Sequence, residues 1–222
     1  MTSTAATIRE IYERLHKCFG PQHWWPARTA FEVVVGAVLT QNTNWKNVEK
    51  AIANLRREGL LDPKAMHATP RAKLAEIIRP AGYYNIKAAR LANLVKVIVE
   101  EYGGDLERFF GGSVGALRER LLAINGIGPE TADSIILYAA GRATFVVDAY
   151  TCRMLGRHGL AFEDATYDDA KALFEDSLEQ DSNLFGEYHA LIVQLGKEFC
   201  RKQARCEGCP LEDMPHEEKA EE

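Results

Sequence analysis

The sequence lacks a long hydrophobic run. Its longest apolar stretches, such as 31–39, fall far short of a bilayer span, so no membrane association is expected. Residues 1–7 lack the basic-then-apolar pattern of a secretory leader, so a cytoplasmic protein is expected. Positive charge is not in excess: the net charge of −5 argues against a non-specific nucleic-acid coat and leaves DNA binding only to basic groups clustered on one face. Cysteines are few and odd in number, five, which points away from a disulfide framework. Cys18 and Cys152 read as buried small apolar residues, whereas Cys200, Cys206 and Cys209 crowd together late in the chain. No hairpin signal flanked by alternating apolar residues and no internal repeat is found, which disfavours a sheet protein. What remains is a 222-residue chain, 46% hydrophobic and 27% charged, with the profile of a soluble globular protein of one large or two small domains.

Helical periodicity fills that frame. Ile8, Ile11, Leu15 and Phe19 recur at three- and four-residue intervals and predict an amphipathic helix ended by Gly20-Pro21. The valine-rich stretch 31–39 has no strand-like partner segment and reads as a buried helix. Asn44 is a cap for a helix over 45–58, and Thr69-Pro70 is a start signal with a capping hydroxyl. A long helix over 85–102 stops at Gly103-Gly104. Further helices are predicted near 114–123, 130–140, 149–157, 167–179 and 184–200, and 217–222 reads as a solvated acidic tail. The class is all-α.

The most informative segment is Leu121-Leu122-Ala123-Ile124-Asn125-Gly126-Ile127-Gly128-Pro129-Glu130-Thr131-Ala132. One helix ends, Gly126 and Gly128 flank Ile127, and a second helix begins at once. The glycines permit close backbone approach, Ile127 can anchor the turn, and the amides opening the second helix suit a phosphate oxygen. The segment is either a helix–hairpin–helix gripping a DNA backbone or an ordinary tight connection. Eighteen residues after Glu130, Val146-Val147-Asp148 places a carboxylate at the start of another helix. Alone, Asp148 reads as an N-cap; with the hairpin at this spacing it reads as catalytic.

With these motifs, the sequence resembles the endonuclease III branch of the helix–hairpin–helix DNA glycosylases over about 31–211. Leu39-Thr40-Gln41-Asn42-Thr43 is similar to the family segment in which Gln41 would fill the gap left by a flipped nucleotide, and Gly82-Tyr83-Tyr84-Asn85-Ile86-Lys87-Ala88 to its Gly-x-Tyr-Asn-x-Lys-Ala turn. The resemblance implies two helical lobes with a cleft between them: a six-helix lobe over 29–142, and a second formed by 1–28 with 143–222. It also implies a monomer acting on double-stranded DNA that contains a damaged base, in the nucleoid of a bacterial or archaeal type of cell.

Bifunctional members carry a lysine in the hairpin's second helix that attacks the sugar and nicks the strand through a Schiff base. The matching position here is Glu130, which implies a monofunctional enzyme; Glu130 also fits an exposed first-turn acid that complements the helix dipole. The chemistry then rests on Asp148 stabilising positive charge on the sugar and orienting water. All three tryptophans, Trp24, Trp25 and Trp45, lie early in the chain and read either as a sandwich for a cationic base or as packing residues. Trp24-Trp25-Pro26 with the Gln41 and hairpin motifs resembles the 3-methyladenine glycosylases of the endonuclease III type, which implies excision of 3-methyladenine and 7-methylguanine and a pocket lysine, sometimes carbamylated, at Lys197. The alternatives are a glycosylase for uracil, mismatched thymine or oxidised bases, and a non-catalytic DNA-structure binding module.

Cys200-x5-Cys206-x2-Cys209 resembles the loop that holds a [4Fe-4S] cluster in many relatives. The fourth cysteine is missing, and Met214-Pro215-His216 stands in its place. Three readings stay open: a cluster with His216 as a ligand, zinc, or a remnant that binds nothing. The 3-methyladenine enzymes lack this loop, so the two resemblances diverge here.

Overall fold

The structure, a computed structural model, describes residues 3–161 and 164–216. The acidic tail expected over 217–222 lies outside the described residues. Every regular element among the described residues is helical. In chain order these are α1 (Thr4–Phe19), α2 (Ala30–Leu39), α3 (Trp45–Arg57), α4 (Pro63–His67), α5 (Arg71–Ile77) and α6 (Tyr84–Tyr102), with a 3-10 turn at Arg79–Ala81. They continue with α7 (Leu106–Phe109), α8 (Val114–Leu122), α9 (Pro129–Ser134), a π-helical turn at Ile135–Ala139, α10 (Ala149–Arg157), α11 (Tyr167–Glu175) and α12 (Ser182–Glu198). None of these helices is long and apolar enough to cross a membrane. The chain divides into two compact units: a middle unit, Trp25–Arg142, and a terminal unit, Met1–Trp24 with Ala143–Glu222.

The middle unit closes around α2. Nine of its ten residues are buried, so the valine run is the inside of a helical core rather than a strand. Thr29 caps its start, and its one buried acid, Glu32, pairs with Arg56 at 2.6 Å. α6 supplies Ala88, Leu91, Leu94, Val95 and Ile98 to the same core, and Gly103, at φ 68°, ends it in the left-handed region. Asn44 caps α3 by accepting from Asn47 N–H. Two local expectations fail. Pro70, not Thr69, occupies the N-cap of α5, because the Thr69 hydroxyl donates back to the Ala65 carbonyl at 2.9 Å and so closes α4 instead. The single helix expected over 130–140 widens after Ser134 into the π turn, where Ala140 N–H bonds the Ile135 carbonyl five residues back at 3.0 Å.

In the terminal unit α1 lays Ile8, Ile11 and Leu15 against α12, and the buried Tyr188 hydroxyl donates to the Ile8 carbonyl at 2.8 Å. Phe145 stacks on Phe174 at 3.8 Å between centroids, which seats the segment before α10 on α11. α10 and α12 approach closely at Gly196: a Cβ there would lie 2.1 Å from the Tyr150 ring, so only glycine admits this contact. α11 ends at Glu175, short of the expected 179. Cys18 and Cys152 are exposed rather than buried, because each sits on the solvent side of an amphipathic helix whose apolar stripe is complete without it.

Candidate active site

The hairpin between α8 and α9 is anchored by Ile124 and Ile127, both buried, with Ile127 N–H donating to the Ile124 carbonyl at 3.0 Å. Gly126 sits at φ 96°, and a Cβ there would fall 2.3 Å from Arg90 Cγ, so both conformation and space require glycine. Gly128 does not share that need: its φ of −96° is open to any residue, and the space beside it is empty. Glu130 is exposed in the first turn of α9. Behind the hairpin the fully buried Asp133 accepts from Arg118 Nε at 3.0 and 3.3 Å, an ion pair that ties α8 to α9.

The hairpin is bonded to the turn after α2. Gln41 Nε2 donates to the Gly126 carbonyl at 3.2 Å and to Thr131 Oγ1 at 2.9 Å, and its Oε1 accepts from Arg90. Lys87, 1% exposed, donates from Nζ to the Leu39 carbonyl at 2.9 Å, to Thr43 Oγ1 at 2.9 Å and to the Ala81 carbonyl at 2.7 Å. All three of its protons are used, one of them on an orphan carbonyl at the end of α2. Burial first, then the like charge of Arg90, lowers its pKa from 10.5 to about 8. Asn42 (φ 51°) and Tyr83 (φ 44°, 68% exposed) hold left-handed backbone on the two turns that Lys87 pins together. Sequence reasoning quoted Lys87 within a motif and gave it no role; a lysine kept among apolar neighbours was the only signal.

The aromatic residues part company. Trp25 meets Trp45 edge-on at 5.4 Å and Tyr138, carried by the π turn, at 5.3 Å, and its ring lies against Gly36. Pro26 beside it is exposed. Trp24 belongs to the terminal unit, where Lys197 Nζ stands 5.9 Å from its ring centroid.

In the terminal unit Asp148 is the N-cap of α10, so the modest reading of this residue is correct as far as it goes. Its Oδ1 accepts from Thr151 N–H at 2.8 Å and from Thr151 Oγ1 at 3.0 Å. Its Oδ2 faces Nε2 of the buried His189 at 3.6 Å. Burial alone would raise the Asp148 pKa; the nearby His189 imidazole, with the two Thr151 donations, outweighs it and holds the carboxyl below its ordinary range. A carboxylate kept ionised in a nearly dry setting can stabilise positive charge that develops beside it. His189 carries no motif that marks it in the sequence.

Cys200, Cys206, Cys209 and His216 line one cavity with Arg157, His158 and Phe199. Arg157 Nη1 donates to Cys200 Sγ at 3.1 Å, and its buried Nε has no partner. His216 Nδ1 lies 2.7 Å from the Met214 carbonyl, which leaves Nε2 as the nitrogen for any ligand. Burial raises the Cys209 thiol pKa, and Cys206, Cys200 and Glu212 push the same way. A cation among the sulfurs would reverse that effect, so the donor set suits a thiolate-bound metal in its chemistry. In this conformation, however, no three histidine, cysteine, aspartate or glutamate side chains among the described residues converge to metal-holding geometry.

The family model described as HhH-GPD superfamily base excision DNA repair protein matches residues 35–180. A Methanocaldococcus jannaschii protein provisionally named a DNA repair glycosylase is 53% identical over 208 residues, 93% of this chain and 94% of its own length. Endonuclease III of Thermotoga maritima is 27% identical over 207 residues, 93% of this chain and 91% of that protein. Among solved structures, the H. pylori 3-methyladenine DNA glycosylase bound to 1,N6-ethenoadenine superposes with a TM-score of 0.75 at 31% identity, covering 89% of this chain and 98% of that one.

Proposed function

The chain belongs to the HhH-GPD superfamily of base excision DNA repair proteins, and from that premise we propose that it is a monofunctional DNA N-glycosylase that excises alkylated purines such as 3-methyladenine and 7-methylguanine. The observation that carries this reading is Asp148, a carboxylate held ionised by Thr151 and His189. A purine alkylated at N3 or N7 is cationic. When the C1′–N bond breaks, its electron pair neutralises the base, and the positive charge passes to the sugar, where Asp148 stabilises it. Water then bonds to C1′ and gives its proton to Asp148.

Support for the substrate class comes from a 3-methyladenine glycosylase 31% identical to this chain and bound to a modified purine. Trp25, Pro26 and Trp45 in the middle unit and Trp24 in the terminal unit are the residues offered for stacking and cation–π attraction to a flipped base, about 1–2 kcal/mol per contact once desolvated. Glu130 in the middle unit and Lys197 in the terminal unit are the charged residues offered for the same role. Gly126, Ile127 and Gly128 present backbone to a DNA phosphate, with Gln41 and Asn42 at the vacated position. Glu130, standing where the bifunctional relatives have their lysine, cannot form a Schiff base. The protein works as a monomer on duplex DNA.

A panel of duplexes carrying single lesions tests this. Release of 3-methyladenine and 7-methylguanine with the strand left intact until alkali treatment is expected, and borohydride should trap no protein–DNA adduct. The similarity to endonuclease III favours a second reading, a glycosylase for uracil, mismatched thymine or oxidised bases. Release of those bases in place of methylated purines would establish it.

Cys200, Cys206, Cys209 and His216 would hold a [4Fe-4S] cluster or, failing that, zinc, with Arg157 offsetting the thiolate charge. When bound, such a centre supplies metal–sulfur bonds that fasten the loop after α12. Absorbance near 400 nm, on the order expected for iron–thiolate charge transfer, together with metal analysis, distinguishes the cases.

A further inference from the structure

We propose that His189 is the positioning residue for Asp148: its imidazole presents Nε2–H to Oδ2 and fixes the rotation of the carboxylate whose other oxygen is fixed by Thr151. The inference rests on the reading of Asp148 given above. It begins with the backbone. Phe185, His189, Ile192 and Gly196 recur at helical spacing along α12, and Gly196 lets Tyr150, in the first turn of α10, approach that face. The close approach places a buried imidazole opposite the residue that caps α10.

The chemistry then selects the tautomer. A nitrogen lone pair pointed at a carboxylate oxygen 3.6 Å away would be repelled, so Nε2 carries hydrogen, in the neutral Nε2–H form or the imidazolium. The distance is longer than a direct hydrogen bond, which leaves Oδ2 able to accept from a water or face a developing cation while His189 sets its direction. The groups bearing on the carboxylate are His189 from α12 and the Thr151 N–H and hydroxyl from α10; α1, also packed on α12, brings Tyr12 edge-on to Tyr188. His189 thereby acts through Asp148.

The test pairs His189→Leu, which removes the donor, with His189→Gln, whose amide can place N–H near the Nε2 position. Single-turnover base release from methylated duplex should fall roughly 10- to 100-fold in His189→Leu, the range usual for loss of a group that orients a reacting one, with DNA affinity unchanged. The acidic limb of its rate profile should move to higher pH, since the carboxyl loses a partner that favours ionisation. His189→Gln should restore most of the rate. In an Asp148→Asn background, His189→Leu should add no further loss. Nitrogen NMR of the wild-type imidazole, independent of any variant's folding, should show Nε2 protonated. An Nδ1–H tautomer, or an unchanged rate and acidic limb in His189→Leu, overturns the inference. An Asp148→Asn enzyme with full activity overturns the reading of Asp148 instead, so the two failures are distinguishable.

Discussion

The middle unit and the terminal unit use buried polar groups to opposite ends. In the middle unit Lys87 and Gln41 bond backbone carbonyls, threonine hydroxyls and Arg90, and Arg118 pairs with Asp133; what these groups hold in place is chain: the turn after α2, the turn before α6 and the hairpin. In the terminal unit Thr151 and His189 converge on one carboxylate, and what they control is its charge and direction. Lys197 near Trp24 and the thiols around Arg157 are likewise charges set beside soft or aromatic partners. On the proposed function, the buried polar groups of the middle unit serve shape and those around Asp148 serve reactivity. Substitutions in the middle unit should change stability and DNA affinity, and those around Asp148 should change rate.

The largest effect on stability is expected from Arg118→Met. It removes the Arg118 guanidinium from the buried Asp133 carboxylate, a loss of about 3–5 kcal/mol that chemical denaturation would read as a lower midpoint. Gly126→Ala comes next. The methyl group must displace Arg90 and hold a left-handed backbone, for roughly 1–3 kcal/mol, and binding to undamaged duplex should weaken because the hairpin is recast. Release rate at saturating DNA should survive; if it collapses instead, the separation of shape from chemistry is wrong.

Lys87→Met should cost about 1–3 kcal/mol, since the Leu39 carbonyl and the Thr43 hydroxyl lose a donor and the Ala81 carbonyl keeps only the Thr43 hydroxyl. The pH dependence sharpens this case. A folded-state pKa of about 8 against an ordinary 10.5 means that the folded chain binds fewer protons between those values, so the wild type gains stability relative to Lys87→Met as pH rises across that window. Thermal melts of both proteins from pH 7 to 10.5 would show the gap widening upward; a gap that narrows would contradict the burial argument. The smallest effect falls to Trp24→Leu, which removes a cation–π contact with Lys197 worth about 0.5–1 kcal/mol at an exposed site. It should raise the KM for methylated DNA a few-fold and leave stability nearly unchanged.

Most of the fold was legible because helical periodicity and capping residues are local signals. Gly20, Asn44, Gly103 and Asp148 all stand at the helix ends where their chemistry placed them. The failures have local causes too. Thr69 hydrogen-bonded backward to α4 instead of forward, and no spacing pattern encodes the π turn after Ser134 that carries Tyr138 against Trp25. In the site, Asp148 and the hairpin were readable as motifs. His189, Lys87 and Arg90 were not, because each acts through a partner 41 to 49 positions away (His189–Asp148, Lys87–Thr43 and Leu39, Arg90–Gln41), and only the packed chain brings them together. Adjacent Trp24 and Trp25 look like one motif, yet they belong to different units.

The proposed chemistry rests on Asp148. Asp148→Asn keeps a side-chain oxygen that can cap α10 and removes the negative charge, so the fold is preserved while the stabilisation of the sugar cation is lost. Single-turnover release of 3-methyladenine from duplex DNA should slow by at least about 10²–10³-fold in this variant, with DNA affinity and melting temperature close to wild type. A rate within a few-fold of wild type would contradict the account.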